Sequence, residues 1–536
     1  MEFESVSSSD KRGVKASEVE VTEKSIFERS TSKIRQFSDK LDALGVESTG
    51  IQRIPPYERG TYKQFWHVAG LWISAAGGLS SMSSYFLGPM IFELTFNQAL
   101  VSGLVSMWIG CLFAAYCSIM GPQSGCRQMV TARYLFGWWF VKFICLASIV
   151  GVMGWSIVNC VVGGQMLASV SDGKIPIWVG IIIVTVVSLF VAIFGIKQVL
   201  RVETLFSVPV ITCFLLLYIS SSNKFKYVHD FTNETLASET LTGNWLSFFS
   251  LCYSITATWG GITADYYILF PEKTPKLNVF LLTFFGIAVP STFVGVLGLL
   301  LASCSMSYEP WNAAYEKYGM GGLLHAGFSR WGGFGKFCVV VLVLSLVSNN
   351  IVNTYSAAFS IQLSGVALAK VPRWIWAILC TIVYLVCALV GRNSFSSILG
   401  NFLPMIGYWI SIYIILLIEE NVIFRSWYHH LYTVEFPTEP QVMSQWKLKR
   451  LPSQKRQYNW DEWDNADVIT RGLAATAAFL VGVAGVVLGM AQTYYVGPIA
   501  SLIGEYGGDI GMWLGMGFAG IAYPPLRYWE LKKFGR

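Results

Sequence analysis

The side chains best able to bind a ligand lie inside uncharged, hydrophobic stretches. Trp155 and Asn159 stand four residues apart in the run 143–171, which contains no charged residue. A helix would place both on one face. An indole face stacks on a flat ring with a gain of about 0.5–1.5 kcal/mol beyond area burial, and an amide both donates and accepts hydrogen bonds. This pair predicts binding chemistry for a flat, neutral heterocycle.

Two further sets of residues fit the same chemistry. Trp259 lies near the middle of another apolar stretch, and Asn349, Asn350 and Asn353 occupy a third. The three- and four-residue spacings put at least two of these amides on one helix face. Asparagines in membrane helices also bond across to a neighbouring helix, and we expect one of the three to do so. The remaining amides are candidates for the edge of a bound ring.

Nearly the same glycine sequence interrupts two hydrophobic stretches, as Gly77-Gly78-Leu79-Ser80 and Gly260-Gly261-Ile262-Thr263. Each glycine weakens a helix by about 1 kcal/mol relative to alanine. Matching breaks in two halves of a chain indicate the substrate site of an inverted-repeat transporter. The alternative is that these small residues only let helices pack closely. Hydroxyls that follow the first break are either pocket groups or satisfy their own backbone: Ser80, Ser81, Ser83 and Ser84.

Charged residues inside apolar stretches form a third class, because each costs about 2.5–3.5 kcal/mol at the centre of a membrane helix. Asp265 follows the second glycine break by four residues. It is either a proton or coupling-ion site or a cap for the amides of a broken helix. Glu203 lies beside Arg201, and forms either a gate ion pair or an interfacial charge. His67 is expected to be a structural histidine.

Composition identifies the elements that must position these groups. The chain has 536 residues, 54% hydrophobic and 13% charged, with a net charge of +6. These values are typical of a polytopic membrane protein and do not favour nucleic-acid binding. The 11 cysteines show no metal-ligand spacing, and no HExxH or nucleophile motif is present, so neither a metal, a cofactor nor an enzyme is predicted. Residues 1–65 are polar and do not resemble a cleaved signal, so we expect the first span to act as the anchor.

Twelve windows have the length and hydropathy of membrane-spanning helices. They lie near 66–92, 97–121, 143–170, 175–196, 202–221, 245–270, 277–304, 335–361, 373–391, 396–418, 468–493 and 510–529. An even number leaves both termini on one side, which is predicted to be cytoplasmic because that side collects most lysines and arginines, including those at 53, 59, 63, 127, 133, 197, 201, 273, 276 and 447–456.

The predicted organisation has five parts. A cytoplasmic tail, 1–65, precedes a transport core, 66–420, a cytoplasmic loop, 421–467, an appended pair of spans, 468–529, and a tail, 530–536. Spans one to five and six to ten would be two repeats. Because the chain crosses the membrane five times between the start of span one and the start of span six, span six would be antiparallel to span one. The predicted fold is thus all-α, with twelve helices in a five-plus-five inverted repeat plus two. The glycosylation sequon at Asn233 falls in an outer loop.

The chain resembles the fungal purine–cytosine permease branch of the nucleobase–cation symporters over nearly its whole length past about residue 45. The matching stretches are Gly50 to Pro55, Leu87 to Met90, Arg127 to Met129, Arg133 to Leu135, Gly154-Trp155 with Asn159, Trp259 with Ala264 to Tyr266, Asn349-Asn350 with Asn353, and Gly489 through Gly511 to Arg536. The resemblance implies the inverted-repeat fold, import of a small heterocycle and a transport unit that works as a monomer.

By that resemblance, Trp155 and Trp259 would sandwich the substrate, Asn159 and Asn353 would bond its edge, and Ser81 would reach it from the first break. Asn350 and Glu203 would act more indirectly. Sodium-coupled members carry two adjacent hydroxyls where this chain has Val347-Ser348, so a single hydroxyl at Ser348 favours proton coupling.

Three segments are most similar to family members that carry vitamin B6 across the plasma membrane: 77–84, 121–126 and 402–409. The implied substrate is pyridoxine, a flat and mostly neutral pyridine with hydroxyl groups. A cytosine or purine symporter is the alternative, and a transport-like nutrient sensor is the rival from another class.

Overall fold

The computed structural model describes residues 50–60, 64–228, 237–436 and 457–536. Most of them are helical. Seven helical runs in this part of the chain are long and apolar enough to cross a membrane: Phe96–Ser124, Arg133–Val170, Ile196–Tyr227, Lys276–Ser307, Ser329–Leu363, Arg373–Gly391 and Leu399–Trp427. Ile177–Ala192 and Leu473–Gly489 are shorter apolar helices.

The longer helices are numbered here in chain order, and short helical turns are left without labels. They are α1 Gln64–Leu71, α2 Leu79–Tyr85, α3 Phe96–Ser118, α4 Arg133–Val170, α5 Ile177–Ala192, α6 Ile196–Ser221, α7 Ser238–Ala257, α8 Lys276–Ser307, α9 Glu309–Gly327, α10 Gly332–Leu363, α11 Arg373–Gly391, α12 Phe395–Glu419, α13 Leu473–Gly489 and α14 Gly511–Phe534. Helices occupy all twelve predicted windows.

The first hydrophobic window is broken at its glycine pair. Helix α1 ends at Leu71 and continues as a π turn over Trp72–Ala76. Gly78 then takes an extended conformation, with φ −104° and ψ −169°, before α2 begins at Leu79. A π turn already shifts the regular hydrogen-bond ladder, and glycine has little helix preference, so the helix stops here.

The sixth window breaks in a similar place. Helix α7 ends at Ala257, and two short 3₁₀ turns follow, Thr258–Gly261 and Thr263–Tyr266. Ile262 between them has φ −140° and ψ −5°. The two broken segments pack among α3, α8 and α10, while α4 packs along α10 and α13 along α14.

The outward faces of several helices are apolar and exposed. Phe190 on α5 and Leu205 and Val208 on α6 are examples, whereas the opposite faces of the same helices are buried. A continuous apolar exterior around a packed interior is the pattern expected of helices in lipid.

The structure adds two elements that the sequence did not predict. Helix α9 lies between α8 and α10 and is interrupted at Gly319, where φ is +59°. A two-stranded antiparallel pair, β1 Ala491–Gln492 and β2 Tyr495–Val496, follows α13. The fold is therefore mostly helical, with a minimal strand pair in the connection between α13 and α14.

The described ends of the predicted loop 421–467 are packed against the helices. Glu420 at the end of α12 accepts hydrogen bonds from Arg425 and from Arg527 on α14, at 3.1 and 3.0 Å. Arg425 also bonds Glu435 at 2.7 Å. All these groups are buried. This cluster ties the loop to the last helix.

Candidate substrate-binding site

A central cavity lies where the two broken helices meet α4, α10 and α12. About 440 Å³ of space is free of protein atoms, but only about 20 Å³ can take the centre of a water molecule. That is room for about one water, so the cavity is contracted in this conformation. Its walls are Ser80, Ser81, Ser148, Gly151, Val152, Trp155, Ile255, Thr258, Trp259, Ile262, Asn349, Asn353, Ile406 and Trp409.

Both tryptophans singled out in the sequence line this cavity. Trp155 and Trp259 are 7% and 6% exposed, so little of either ring is free in the contracted state. Trp259 is held by an edge-to-face contact with Trp72 in the π turn, with ring centroids 5.3 Å apart at 87°. The two glycine-broken segments therefore contact each other through aromatic rings, an arrangement that fixes the orientation of the Trp259 indole.

Hydroxyl and amide groups complete the polar part of the walls. Ser81 donates to the Ala76 carbonyl at 2.5 Å, and Asn353 donates to Asn349 Oδ1 at 2.8 Å. Asn349 in turn donates to the Ala75 carbonyl at 2.9 Å. None of the described residues that line the cavity is charged. The site is thus polar but neutral.

Asn159 does not line the cavity but lies behind it. Its amide donates to Asn349 at 2.8 Å and to Asn350 at 2.9 Å, while its oxygen accepts from Ser80. Asn350 donates to Cys160 Sγ at 3.3 Å. In this conformation Asn159 and Asn350 support Ser80 and Asn349, which do reach the cavity.

The four glycines of the breaks do not line the cavity either. A Cβ on Gly77 would lie 2.3 Å from Pro290 Cβ, and one on Gly78 would lie 2.8 Å from Ser345 Cβ. A Cβ on Gly260 or Gly261 would meet its nearest neighbours at 3.3 Å. Close packing, which the sequence left as an alternative, therefore accompanies the helix break at the first pair.

The freed backbone carbonyls of the first break are bonded by protein side chains. Asn349 and Ser81 donate to Ala75 and Ala76, and Ser291 on α8 donates to Ala76 at 3.2 Å. This is how the unwound backbone avoids unsatisfied groups inside the membrane.

Sequence analysis did not single out eight of the wall residues as binding candidates: Ser148, Gly151, Val152, Ile255, Thr258, Ile262, Ile406 and Trp409. Trp409 is the most informative, because its buried Nε1 donor has no acceptor among the described residues. Its ring packs on Tyr413 at 6.3 Å. Its segment, 402–409, had been noted only for its resemblance. Nothing in the sequence singled out this tryptophan, because it has no amide or charged partner at helical spacing within its apolar span.

Glu203 forms a second polar site. It is fully buried, and its Oε2 accepts hydrogen bonds from Ser74 in the π turn, at 2.5 Å, and from Ser348 on α10. Its Oε1 has no donor among the described residues. Its burial shows that Glu203 is not an interfacial charge, and among the described residues the exposed Arg201 forms no ion pair with it. Glu203 joins α6 to the first break and to α10.

Asp265 lies outside the central cavity as well. Its Oδ1 accepts from the backbone N–H of Gln128 at 2.8 Å, and its Oδ2 accepts from Ser356 at 2.8 Å. Arg127 precedes the short helical turn Gln128–Thr131, so Asp265 caps that turn rather than the amides of its own broken helix. His67 contacts Thr204 at 3.1 Å. Asn233 falls outside the described residues.

Two helices broken at mid-length around one contracted, neutral cavity define a secondary transporter of the broken-helix class. Residues 55–497 match the family model described as permease for cytosine/purines, uracil, thiamine, allantoin. The chain belongs to this family of permeases, as the resemblance predicted, and it is a transporter and not an enzyme.

Relatives in yeast match nearly the whole chain. It is 66% identical to the vitamin B6 transporter TPN1 of Saccharomyces cerevisiae over 533 residues, covering 96% of this chain and 92% of the relative. It is 34% identical to the purine-cytosine permease FCY2 of the same organism over 512 residues, covering 94% and 90%.

The fold is similar to that of Mhp1, a nucleobase-cation-symport-1 family transporter solved in a closed conformation with bromovinylhydantoin bound. The TM-score is 0.60 at 14% identity, covering 91% of this chain and 96% of that one. An inward-facing structure of Mhp1 matches with the same TM-score.

Proposed function

We propose that this chain is a proton-coupled importer of vitamin B6, with pyridoxine as its substrate, that works by alternating access. The observation that carries the proposal is the 66% identity to a vitamin B6 transporter over 96% of the chain. The neutral cavity with its tryptophan walls supports it, because pyridoxine is a flat, mostly uncharged ring. Cytosine or purine transport is the second candidate, supported by the relatives at 34% identity.

In the proposed complex the pyridine ring lies between Trp155 and Trp259. Ser81 and Asn353 bond its edge, and Trp409 Nε1 donates to a substrate hydroxyl. The buried Nε1 without an acceptor supports this last contact, since a buried donor left unsatisfied costs about 1–3 kcal/mol that a substrate oxygen would recover. Asn159 and Asn350 act through Asn349 and Ser80.

The contracted cavity must expand to admit a ring, so substrate binding is coupled to movement of the surrounding helices. The transport core comprises residues 66–420, with spans one to five and six to ten as inverted repeats and two further helices in 468–529. Rocking of one bundle against the other would expose the midplane site to each side in turn.

Glu203 is the proposed proton site. A lone carboxylate without a cation is costly inside a membrane, and Glu203 is buried between two serine hydroxyls. A proton on the carboxyl removes that cost, and the contacts to the first break and to α10 link protonation to the moving parts. Entry of one proton down about 100 mV supplies about 2.3 kcal/mol, or about 50-fold accumulation.

The proposed location is the plasma membrane, with twelve spans, both termini in the cytoplasm and a monomeric transport unit. The tails 1–65 and 530–536 and the loop 421–467 then lie on the cytoplasmic side. The uneven distribution of lysine and arginine supports this orientation.

Uptake of labelled pyridoxine into yeast cells that lack their own carrier tests the function. We expect saturable uptake that an uncoupler abolishes. Unlabelled pyridoxine, pyridoxal and pyridoxamine should compete more strongly than thiamine, cytosine or adenine. Saturable cytosine uptake without pyridoxine uptake would favour the second candidate, and uptake indifferent to the uncoupler would overturn proton coupling. A response to pyridoxine without accumulation would favour a sensor.

A further inference from the structure

A second cavity lies on the face of the molecule that bears the N-terminal segment. About 310 Å³ of it can take the centre of a water molecule, against about 20 Å³ in the central cavity. Its walls include Gln52, Arg53, Glu58, Arg127 and Lys197. Gln52, Glu58 and Lys197 are exposed, so the cavity is open to the aqueous phase.

The charge of this cavity is positive. Arg53, Arg127 and Lys197 face a single lining acid, Glu58. Arg53 also pairs with Asp461, and Arg127 lies over the ring of Phe359. A neutral ring would gain nothing specific from three cations, so the proposed transport substrate does not account for them.

A helix terminus adds to the positive potential. Gly195, Ile196, Lys197 and Gln198 all line the cavity, and they form the N-cap and first turn of the 26-residue helix α6. The first N–H groups of a helix carry partial positive charge and favour phosphate groups.

Arg53 supplies an independent observation that points to an anionic ligand. Its side chain is 10% exposed. Its Nε donates to the Ser124 carbonyl at 2.8 Å and its Nη1 binds Asp461. Its Nη2 is buried and has no acceptor among the described residues. A buried guanidinium nitrogen without an acceptor is costly, and guanidinium groups bind phosphate oxygens well.

We propose that this cavity binds a phosphate monoester and that, given the proposed orientation and function, the ligand is the phosphorylated form of the imported vitamer in the cytoplasm. A phosphate monoester carries about −1.5 to −2 charges at pH 7, and the three lining cations outnumber the two acids beside them, Glu58 in the lining and Asp461 paired with Arg53. A phosphoryl transfer to the imported alcohol would supply it: the alcohol oxygen forms the new P–O bond, the P–O bond to the rest of the phosphoryl donor breaks, and the alcohol proton is released to water.

The position of the cavity predicts that a bound phosphate monoester inhibits transport. Its walls join the N-terminal segment to the start of α6. The same segment is bonded to the connection after α3, with Ile54 N–H donating to Gly125 at 2.9 Å, and to the end of the second break, with Gly60 N–H donating to Leu269 at 2.7 Å. A ligand that bridges these parts would restrain their movement relative to one another and so slow transport.

Binding of labelled pyridoxine phosphate to the purified full chain in phosphatidylcholine vesicles tests the site. Lys197→Glu should weaken binding at least tenfold, while Lys273→Glu, an exposed charge outside the cavity, should leave it unchanged. Competition by inorganic phosphate would support recognition of the phosphate group. Equal binding by wild type and Lys197→Glu would overturn the proposal.

A second arm uses vesicles that contain phosphatidylinositol phosphate and no soluble ester. Slower pyridoxine counterflow there, absent in Lys197→Glu, would support the phosphate site but assign it to a lipid headgroup. Inhibition by the soluble ester in plain vesicles would assign it to the vitamer. Pyridoxine counterflow without any phosphate effect in either arm would overturn the predicted inhibition but not the proposed function, and absence of counterflow would count against the proposed function instead.

Discussion

The side-chain amide of Asn159 lies 2.8 Å from Oδ1 of Asn349, which joins α4 to α10 directly behind the central cavity. The same oxygen accepts from Asn353. The Asn349 oxygen thus holds the amide of Asn353, in the cavity wall, and the amide of Asn159, behind the wall, in fixed positions. Any substrate contact at Asn349 or Asn353 would therefore depend on a residue that does not reach the cavity.

Asn159→Ala should weaken pyridoxine transport by positioning rather than by a lost contact. It removes one of the two donors to the Asn349 oxygen and the donor to the Asn350 oxygen. At a cost of about 1–3 kcal/mol, we expect KM to rise about five- to 150-fold. Radiolabelled uptake measures this. Asn393→Ala, at an exposed position, is the control. An unchanged KM would contradict the positioning role.

Trp409→Phe removes the unbonded Nε1 donor but keeps an aromatic ring. If this donor binds a substrate hydroxyl, affinity should fall about three- to tenfold, which corresponds to one hydrogen bond of about 0.5–1.5 kcal/mol. A deoxypyridoxine analogue that lacks the hydroxyl bound by Nε1 should bind to wild type and to the variant with the same affinity. Trp529→Phe, on the exposed face of α14, should behave as wild type; equal losses in both variants would rule out a specific contact.

Glu203→Gln should separate binding from coupling. The amide is close in shape but takes up no proton, so exchange of pyridoxine across the membrane should persist while uncoupler-sensitive accumulation is lost. Wild-type uptake should fall as external pH rises, because the proton gradient shrinks, and the variant should be insensitive to pH. Glu239→Gln, an exposed control, should keep the wild-type profile. Full accumulation by Glu203→Gln would exclude it as the proton site.

Gly77→Ala should destabilise the protein because the new Cβ would overlap Pro290. Overpacking of a dense interior costs about 1–3 kcal/mol, so a lower melting temperature and less protein at the cell surface are expected. Gly517→Ala is the matched control, since a Cβ there meets nothing within 4 Å. Equal melting temperatures for the two variants would show that the break region can expand freely.

Arg527→Ala should be the most destabilising of these substitutions, because it leaves the Glu420 carboxylate buried with one fewer cation. Loss of one partner from a buried pair costs about 3–5 kcal/mol. Thermal unfolding of the purified protein measures the effect. The double variant Arg527→Leu with Glu420→Gln should recover part of the stability, and a failure to recover any would mean that packing rather than charge dominates.

The sequence predicted where helices occur and where two of them break, because long apolar windows and paired glycines are local signals. It also predicted that Trp155, Trp259, Ser81 and Asn353 would lie near one another, and all four line one cavity. Family membership followed from the same residues.

Tertiary features could not be read in the same way. Asn159 shares a helix face with Trp155, yet only the packing of α4 against α10 places its amide behind the wall. Glu203 looks interfacial in one dimension, beside Arg201, but the shift made by the π turn brings Ser74 against it. Trp409 gave no local signal because its role depends on which helix faces the break.

The carbonyls of the first break, at Ala75 and Ala76, are each accepting bonds from serine or asparagine side chains on other segments. The unwound part of the first helix is therefore registered against α8 and α10 by discrete donors. A shift of this segment by less than one residue would leave a buried carbonyl without a hydrogen-bond donor. Any reorientation of this segment must therefore carry those donors along or exchange them for other donors.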